Sequence, residues 1–311
     1  MTKAIAIDIG GTKISWALVA DDYKILSRRQ LATPPSAAAI LASLEAIIDE
    51  ALASSADIIG AGIGVAGMVD YDAGMVVAAP NLSLTGSPLK QHLESKFKLS
   101  FKIDNDANCA VLGELFSGAG RGRQNFIGLT VGTGLGGGMV VGGRLYRGAK
   151  GAAAEFGHIV VDPGGPECGC GNRGCLETKA SGTAIERLAK AAVVAKPESA
   201  LSRSVGGDPG IVTGPMVAKA ARAGDTEAMA ILSEVGRWLG IGIGNFINII
   251  DPEVVVVGGG VAASLDLVIG PIVETAQKTA IDPRSRDIPI VISQLENSAG
   301  LLGAAGLIFK P

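Results

Sequence analysis

The sequence predicts an α/β protein made of two similar lobes with a cleft between them. Its apolar residues are mainly aliphatic, because hydrophobic residues make up 48% of the 311 residues and aromatic residues only 4%. The 45 glycines suit an architecture with many tight backbone turns. One pattern, an apolar hairpin with a glycine turn followed by α/β units, begins near residue 4 and again near residue 126, which indicates the two lobes.

The first copy of the pattern begins with AIAIDIGGTKISWALVA at residues 4–20, which is typical of strand, glycine turn and strand. A helix is predicted next, over residues 36–54, and then a strand that ends in a glycine-rich turn, over 56–70. A short helix at 88–97, a strand at 101–106 and a helix at 107–117 follow. We expect a smaller N-terminal lobe over residues 1–118, completed by the C-terminal segment 298–311.

The second copy begins with NFIGLTVGTGLGGGMVVGGRLYRG, again strand, glycine turn and strand. A loop at 149–157 and a cysteine-rich stretch follow. The later helices are predicted over residues 181–195, 215–223, 226–250, 264–280 and 298–309, and the later strands over 254–260 and 288–295. We expect a larger lobe over residues 119–297.

Charge and targeting signals narrow the class of protein. The net charge of −3 gives no electrostatic footprint for nucleic acid. The N-terminal MTKAIAIDIGGTK lacks the features of a secretory signal, and the uncharged run 124–143 is too rich in glycine to predict a membrane span. These observations predict a cytoplasmic protein without nucleic-acid or membrane partners, and a reducing compartment argues against structural disulfides.

Two glycine turns are candidate phosphate sites. In Asp8-Ile9-Gly10-Gly11-Thr12-Lys13, glycines leave backbone N–H groups open to a phosphate, and Asp8 could hold a magnesium ion through water. An ordinary Gly-Gly hairpin explains this motif equally well. The second turn, at 132–138, also matches GxGxxG, but a strand follows it where the dinucleotide fingerprint requires a helix. Two such turns fit a nucleotide phosphate held by both lobes.

Asp106 is the candidate catalytic residue. It lies in Asn105-Asp106-Ala107-Asn108, where a strand is predicted to end and a helix to begin. An aspartate there could accept the proton of a substrate hydroxyl during phosphoryl transfer. Capping the helix is the competing interpretation, and the two roles could be divided between Asn105 and Asp106.

Three of the four cysteines fall in CGCGNRGCLE, residues 168–177. Cys168, Cys170 and Cys175, with His158 of the upstream EFGH, would complete a Cys3His tetrahedral zinc site. Unpaired loop thiols are the alternative. A structural zinc has no open coordination position, so it would fix the loops that present Glu155 and Glu177. Rigid carboxylates suit a ligand with many hydroxyls, such as a sugar.

The motifs DIGGTK, NDAN, GTGLGGG, EFGH, CGCGNRGCLE and VVVVGGG, in this order, resemble the ROK family (repressors, open reading frames and kinases) over essentially the whole chain. The resemblance implies the two-lobed actin-like ATPase (ribonuclease H-like) fold, with an inter-lobe cleft and a structural zinc loop. It also implies ATP with Mg²⁺ as cofactors, and phosphorylation of a hexose at its 6-hydroxyl. The family commonly forms homo-dimers or homo-tetramers.

The resemblance assigns roles to individual residues. Asp106 is implied as the catalytic base. The implied sugar contacts are Gly67, Asn81, Asn105, Asp106, Glu155, His158 and Glu177. The implied nucleotide and magnesium contacts are Asp8, Gly10, Gly11, Thr12, Lys13, Thr133, Gly134, Gly259 and Gly260. The implied zinc ligands are His158, Cys168, Cys170 and Cys175.

The resemblance implies glucose as the first candidate sugar. The family's glucokinases usually carry a tryptophan shortly after APNL, whereas this chain has NLSLTGSPL, so N-acetylmannosamine, N-acetylglucosamine, fructose and allose stay open. A sugar-responsive repressor would need an N-terminal helix-turn-helix, for which the first strand near residue 4 leaves no room. A polyphosphate donor would favour a strongly basic groove, and only Arg121, Arg123 and Lys150 are nearby candidates.

Overall fold

The structure is a computed structural model, and it describes residues 1–310, the side chain of Ala263 apart. The strands are β1 (Lys3–Ile9), β2 (Lys13–Ala20), β3 (Ile25–Ala32), β4 (Ile58–Val65), β5 (Met68–Asp70), β6 (Met75–Ala78), β7 (Ser100–Asn105), β8 (Phe126–Val131), β9 (Leu135–Val141), β10 (Arg144–Leu145), β11 (Val254–Gly258) and β12 (Ile290–Ile292).

The helices are α1 (Ala37–Ser54), α2 (Leu89–Lys96), α3 (Asp106–Ser117), α4 (Gly182–Ala195), α5 (Ala200–Ser204), α6 (Gly214–Arg222), α7 (Thr226–Ile250), α8 (Ala262–Leu265), α9 (Ile269–Thr279) and α10 (Ala299–Phe309). Within residues 1–310, no helix combines the length and apolar composition that crossing a bilayer requires.

Grouped by their contacts, the residues form two compact units. The first contains Met1–Gln124, Gly138–Ala154 and Gln294–Pro311, and the second contains Asn125–Gly137 and Glu155–Ser293. Pro311, the last residue of the predicted segment 298–311, lies outside the described residues. The lobe boundaries expected from the sequence, 1–118 with 298–311 and 119–297, stay a prediction.

The sheet of the first unit has the strand order β3-β2-β1-β4-β7. Strands β1, β2 and β3 are antiparallel neighbours, whereas β4 runs parallel to β1, and β7 runs parallel to β4. Parallel strands end at the same edge of a sheet. The ends of β1 and β7, which carry Asp8 and Asn105, therefore lie at one edge.

Both faces of this sheet are buried, and β1 shows how the sequence divides them. Ile5, Ile7 and Ile9 pack in the apolar cluster that includes α1 and α2. Ala4 and Ala6 pack in a second cluster with α3 and α10. Successive side chains of a strand point to opposite faces, so one face carries large residues and the other small ones.

Small residues let α10 lie very close to β4 and α3. A Cβ atom added at Gly62 would lie 1.8 Å from the backbone oxygen of Ala304. One added at Gly303 would lie 1.6 Å from the backbone oxygen of Cys109. Because no side chain fits at either position, α10 supports the helix that begins at Asp106 through direct backbone packing.

The second sheet has the order β10-β9-β8-β11-β12, which repeats the order of the first with β8 in the place of β1. Strands β11 and β8 are parallel, as are β11 and β12. The repeat predicted near residues 4 and 126 and the α/β class are therefore confirmed. In the second unit, the 25-residue helix α7 packs against α4, α6 and α9.

The structure adds strands β5 and β6, which pair with each other, and the short helix α5, none of which was predicted. It also corrects three further details. Strand β3 was not predicted, because its central residues are polar and exposed at the edge of the sheet and show no apolar pattern. The helix predicted over 264–280 is two helices, α8 and α9, separated by a short 3-10 turn at Asp266–Val268. The strand predicted over 288–295 is only three residues long.

Candidate functional site

The first glycine turn joins β1 to β2. The backbone N–H of Gly10 donates to the backbone oxygen of Lys13 at 3.0 Å, and the Thr33 hydroxyl donates to the Gly10 oxygen at 2.6 Å. Gly11, Thr12 and Lys13 are exposed. The turn therefore offers a fixed backbone and a lysine charge to solvent, a combination that suits an anion.

Asp8 lies in β1, just before this turn. Burial raises the pKa of its carboxyl, while the charges of Lys13 and Arg28 act in the opposite direction. The start of α10 adjoins it, since a Cβ at Gly300 would lie 3.3 Å from Asp8 Oδ2. A nearby cation would stabilise the ionised form, so Asp8 fits the predicted magnesium contact chemically.

Asp106 is the first residue of α3, and Asn105 is the residue that caps this helix. Asn105 Oδ1 accepts from the backbone N–H of Asn108 at 3.0 Å. Asp106 Oδ1 accepts from Asn105 Nδ2 at 3.1 Å and from the backbone N–H of Ala107 at 2.9 Å. The capping role thus belongs to Asn105, and two donors hold the Asp106 carboxylate in one orientation.

Two further predicted sugar contacts of the first unit adjoin this region. The Gly67 backbone oxygen accepts the second hydrogen of Asn105 Nδ2, at 3.1 Å. Both hydrogens of the Asn105 amide are therefore used within the chain, and its oxygen is the atom that could accept from a sugar hydroxyl. A Cβ at Gly11 would lie 3.2 Å from Asn81 Cβ, so a predicted sugar contact touches a predicted phosphate turn.

In the second unit, one histidine and three cysteines form a cluster. The ligand atoms of His158, Cys168, Cys170 and Cys175 all lie within 4.8 Å of one another. Cys168 Sγ is 3.5 Å from His158 Nδ1, and Cys170 Sγ is 3.6 Å from Cys175 Sγ. Tetrahedral zinc with such ligands separates them by about 3.5–3.8 Å, so the cluster fits zinc. All four cysteines are free.

Backbone hydrogen bonds shape the loop that carries this cluster. Val161 and Asp162 donate to the Gly174 oxygen at 2.9 and 3.1 Å, and Cys168 donates to the Asn172 oxygen at 2.8 Å. Gly174 has a φ of +69°, and a Cβ there would lie 1.5 Å from the Asp162 oxygen. The glycines of CGCGNRGC thus allow the close chain approach on which the cluster depends.

Glu177 contacts the second glycine turn. Its Oε2 accepts from the backbone N–H of Leu135 at 2.9 Å, and its Oε1 lies 3.8 Å from Cys168 Sγ. A Cβ at Gly134 would lie 2.3 Å from Glu177 Oε2. This carboxylate therefore joins the cysteine loop to the turn. Glu155, by contrast, is exposed, and its backbone oxygen accepts from His158 N–H at 3.0 Å.

The start of α4 also supports the second turn. Gly182 N–H donates to the Gly132 oxygen at 2.8 Å, and the Thr183 hydroxyl donates to the Thr133 oxygen at 2.8 Å. Gly259 has a φ of +94° and approaches the same strand end, because a Cβ there would lie 2.5 Å from the Val131 oxygen. Thr133, Gly134 and Gly259 are therefore neighbours, and Gly260 follows directly in the chain.

The predicted site residues are divided between the two units. The first contains Asp8, Gly10, Gly11, Thr12, Lys13, Gly67, Asn81, Asn105 and Asp106, and the second contains Thr133, Gly134, Glu155, His158, Cys168, Cys170, Cys175, Glu177, Gly259 and Gly260. The sequence analysis missed Asp104, Arg147 and Thr183. Ser181-Gly182-Thr183 is a helix-start pattern that could have indicated the last of these.

Comparison with known proteins places the chain in a family. The ROK family profile matches residues 4–310, and the chain belongs to the ROK family. It is 40% identical to the glucokinase of Streptomyces coelicolor, over 100% of this chain and 99% of that protein. The crystal structure of a ROK family glucokinase from Streptomyces griseus in complex with glucose and AMPPNP superposes with a TM-score of 0.89, at 39% identity, over 99% of this chain and 100% of that one. The actin-like fold is thereby confirmed.

Relatives with other names also match most of the chain. The N-acetylmannosamine kinase of Escherichia fergusonii is 32% identical over 97% of this chain and 96% of that protein. The xylose repressor of Caldicellulosiruptor bescii is 32% identical over 86% of this chain and 66% of that protein. Family membership alone therefore does not select one sugar.

Proposed function

We propose that the protein is an ATP-dependent hexokinase that phosphorylates the 6-hydroxyl of a hexose, with glucose as the preferred sugar. The observation that carries this proposal is the arrangement at the start of α3, where Asn105 takes the cap and Asp106 is held by two donors. The 40% identity to a glucokinase over the full chain supports glucose. N-acetylmannosamine is the second candidate, supported by the similarity to a kinase of that sugar.

Asp106 would act as the general base. The N–H donors at its Oδ1 stabilise the ionised carboxylate, which is the form that accepts a proton. Proton acceptance from the 6-hydroxyl makes the sugar oxygen a better nucleophile for the γ-phosphoryl group. Asn105, through Gly67 and the helix cap, would fix the direction of the carboxylate.

The two glycine turns would bind the phosphates of ATP. Gly10, Gly11, Thr12 and Lys13 form one turn, and Thr133 and Gly134 form the other, with Gly259 and Gly260 beside the adenosine. Mg²⁺, which neutralises phosphate charge when bound, would be held by Asp8 through water. The raised pKa of Asp8 supports this role, because a buried carboxyl gains most from a cation.

The zinc cluster would be structural. His158, Cys168, Cys170 and Cys175 fill a tetrahedral ligand set, which leaves no position for substrate. Its ligands lie next to Glu155 and Glu177 in the chain, so the metal would hold the loops that present these carboxylates. We propose that Glu155 and Glu177 accept hydrogen bonds from sugar hydroxyls. His158 would bind the metal through one ring nitrogen and donate to a sugar oxygen through the N–H of the other. A cytoplasmic homo-dimer or homo-tetramer remains the expectation from the family.

An ADP-release assay over glucose, mannose, fructose, allose, N-acetylglucosamine and N-acetylmannosamine tests the proposal. Glucose should give the highest kcat/KM, and Asp106→Asn should lower kcat with glucose by about 10²–10⁴-fold. No ADP release with any hexose would contradict the kinase assignment. Fastest release with another sugar would contradict only the glucose assignment. Retained turnover in Asp106→Asn would contradict the role of the base.

A further inference from the structure

A buried ion pair lies next to the Asn105–Asp106 segment. Asp104 is 2% exposed, and a single oxygen of its carboxylate, Oδ2, receives two donors of Arg147. Nε donates at 2.8 Å, and Nη2 lies at 2.7 Å. Because the guanidinium uses only Oδ2, the second oxygen of Asp104 serves other donors.

Those other donors flank Asp106. Asp104 Oδ1 accepts from the backbone N–H of Asn105 at 2.8 Å and from Asn108 Nδ2 at 2.9 Å. Asn105 in turn donates to Asp106 Oδ1 and caps α3 through Asn108. A rotation of the Asp104 carboxylate would therefore move the residues on both sides of Asp106.

Arg147 is itself held in place. Its Cζ lies 3.8 Å from the centroid of the Tyr71 ring, which is stacking distance for a guanidinium. Its backbone oxygen accepts from the N–H of Ala153 at 3.1 Å, which closes the loop after β10. The side chain is 25% exposed. The planar, stacked fork leaves the two Arg147 donors little freedom to turn away from Asp104.

We propose that Arg147 is a positioning residue for phosphoryl transfer, which compensates the charge of Asp104 and through that carboxylate holds Asn105 and Asp106 in their catalytic orientation. The proposal rests on the proposed function of Asp106. A buried carboxylate without its partner is strongly unfavourable, so Asp104 would turn toward other donors or take up a proton. In either case its bonds to Asn105 and Asn108 would change.

The expected signature is a loss of kcat with small changes in KM. Arg147→Met should lower kcat about 10–100-fold, because a small misplacement of a catalytic group has effects of this size. The KM values for sugar and ATP should change less than threefold. Arg147→Lys keeps the positive charge but lacks the planar guanidinium with its two donors, so its kcat should lie between those of Arg147→Met and the unmodified protein. Arg144→Met, at an exposed position three residues earlier, should match the unmodified protein.

A double-mutant cycle separates positioning from general destabilisation. Asp104→Asn keeps an Oδ1 acceptor for Asn105 and Asn108 but has no charge to compensate. Arg147→Met should therefore lower kcat much less in the Asp104→Asn background than alone. Equal losses in both backgrounds, or a kcat of Arg147→Met within twofold of the unmodified protein, would overturn the proposal. If Arg147→Met does not fold, the Arg147→Lys series in the same two backgrounds decides in the same way. Absence of turnover in the unmodified protein would instead contradict the proposed function.

Discussion

Replacing Glu177 by alanine is expected to weaken nucleotide binding even when no sugar is present. As a sugar ligand alone, Glu177 would affect only the affinity for sugar. In the structure, however, its Oε2 accepts from Leu135 N–H at 2.9 Å, directly beside Gly134 of the second phosphate turn. The Glu177→Ala substitution removes this acceptor and leaves the turn less constrained. Phosphate binding must then also order the turn, and the free energy that this ordering costs weakens the binding.

The magnitude follows from that hydrogen bond. A bond to a charged acceptor contributes about 1.5–3 kcal/mol, and the lower value applies because water can replace part of it at this half-buried position. About 1.5 kcal/mol corresponds to roughly a tenfold increase in Kd. Calorimetric titration with AMPPNP and Mg²⁺, in the absence of sugar, measures this directly.

Glu155→Ala is the matched control. Glu155 is also a proposed sugar ligand, but it is exposed, and its backbone oxygen, which the substitution keeps, is the atom bonded to His158. It should weaken sugar binding and leave the Kd of AMPPNP unchanged. If Glu177→Ala binds AMPPNP within twofold of the unmodified protein, the turn does not depend on this carboxylate, and the reasoning is refuted.

Three further outcomes are expected. Cys175→Ser should reduce bound zinc, measured by metal analysis, from about one ion per chain and lower Tm; unchanged Tm and metal content would contradict the zinc assignment. Gly303→Ala should lower the free energy of unfolding, measured with denaturant, by roughly 3 kcal/mol, because the added Cβ would lie 1.6 Å from the Cys109 backbone oxygen. The control is Gly270→Ala in α9, where the added Cβ meets nothing within 4 Å, and it should be neutral or slightly stabilising. Burial raises the pKa of the Asp8 carboxyl above 3.8, so the contribution of this residue to folding stability falls as pH rises through that raised pKa. Asp8→Asn should therefore raise Tm at pH 7 in EDTA, and this gain should disappear below about pH 3.8. A lower Tm of the variant at pH 7 would contradict the sign.

Local sequence patterns predicted the elements that have a regular apolar pattern bounded by turn or helix-capping residues. The aliphatic runs of β1 and β2 with their glycine turn, and the long helix α7, follow from hydrophobicity and turn residues alone. Strand β3 was not predicted, because an edge strand with charged residues has the composition of a loop. The 3-10 turn between α8 and α9 was not predicted, because both helices continue one apolar pattern, which predicts a single helix.

The ion pair beneath Asp106 could not have been predicted from the chain. Asp104 and Arg147 are 43 residues apart, and neither belongs to a motif. The division of roles between Asn105 and Asp106 was left open by the sequence, since either side chain can cap a helix. Only the position of Asn105 Oδ1, 3.0 Å from Asn108 N–H, assigns the cap.

The close packing of α10 on α3 and β4 has a consequence for the order of synthesis. Of the elements described, α10 leaves the ribosome last, yet Leu301 and Leu302 belong to the same apolar cluster as Ala4 and Ala6 at the start of the chain. During translation, the face of the first sheet that carries Ala4 and Ala6 therefore stays partly uncovered beside α3 until the second unit has been made. A chaperone bound to the nascent chain would have to cover that face, and α10 would displace the chaperone when it packs there.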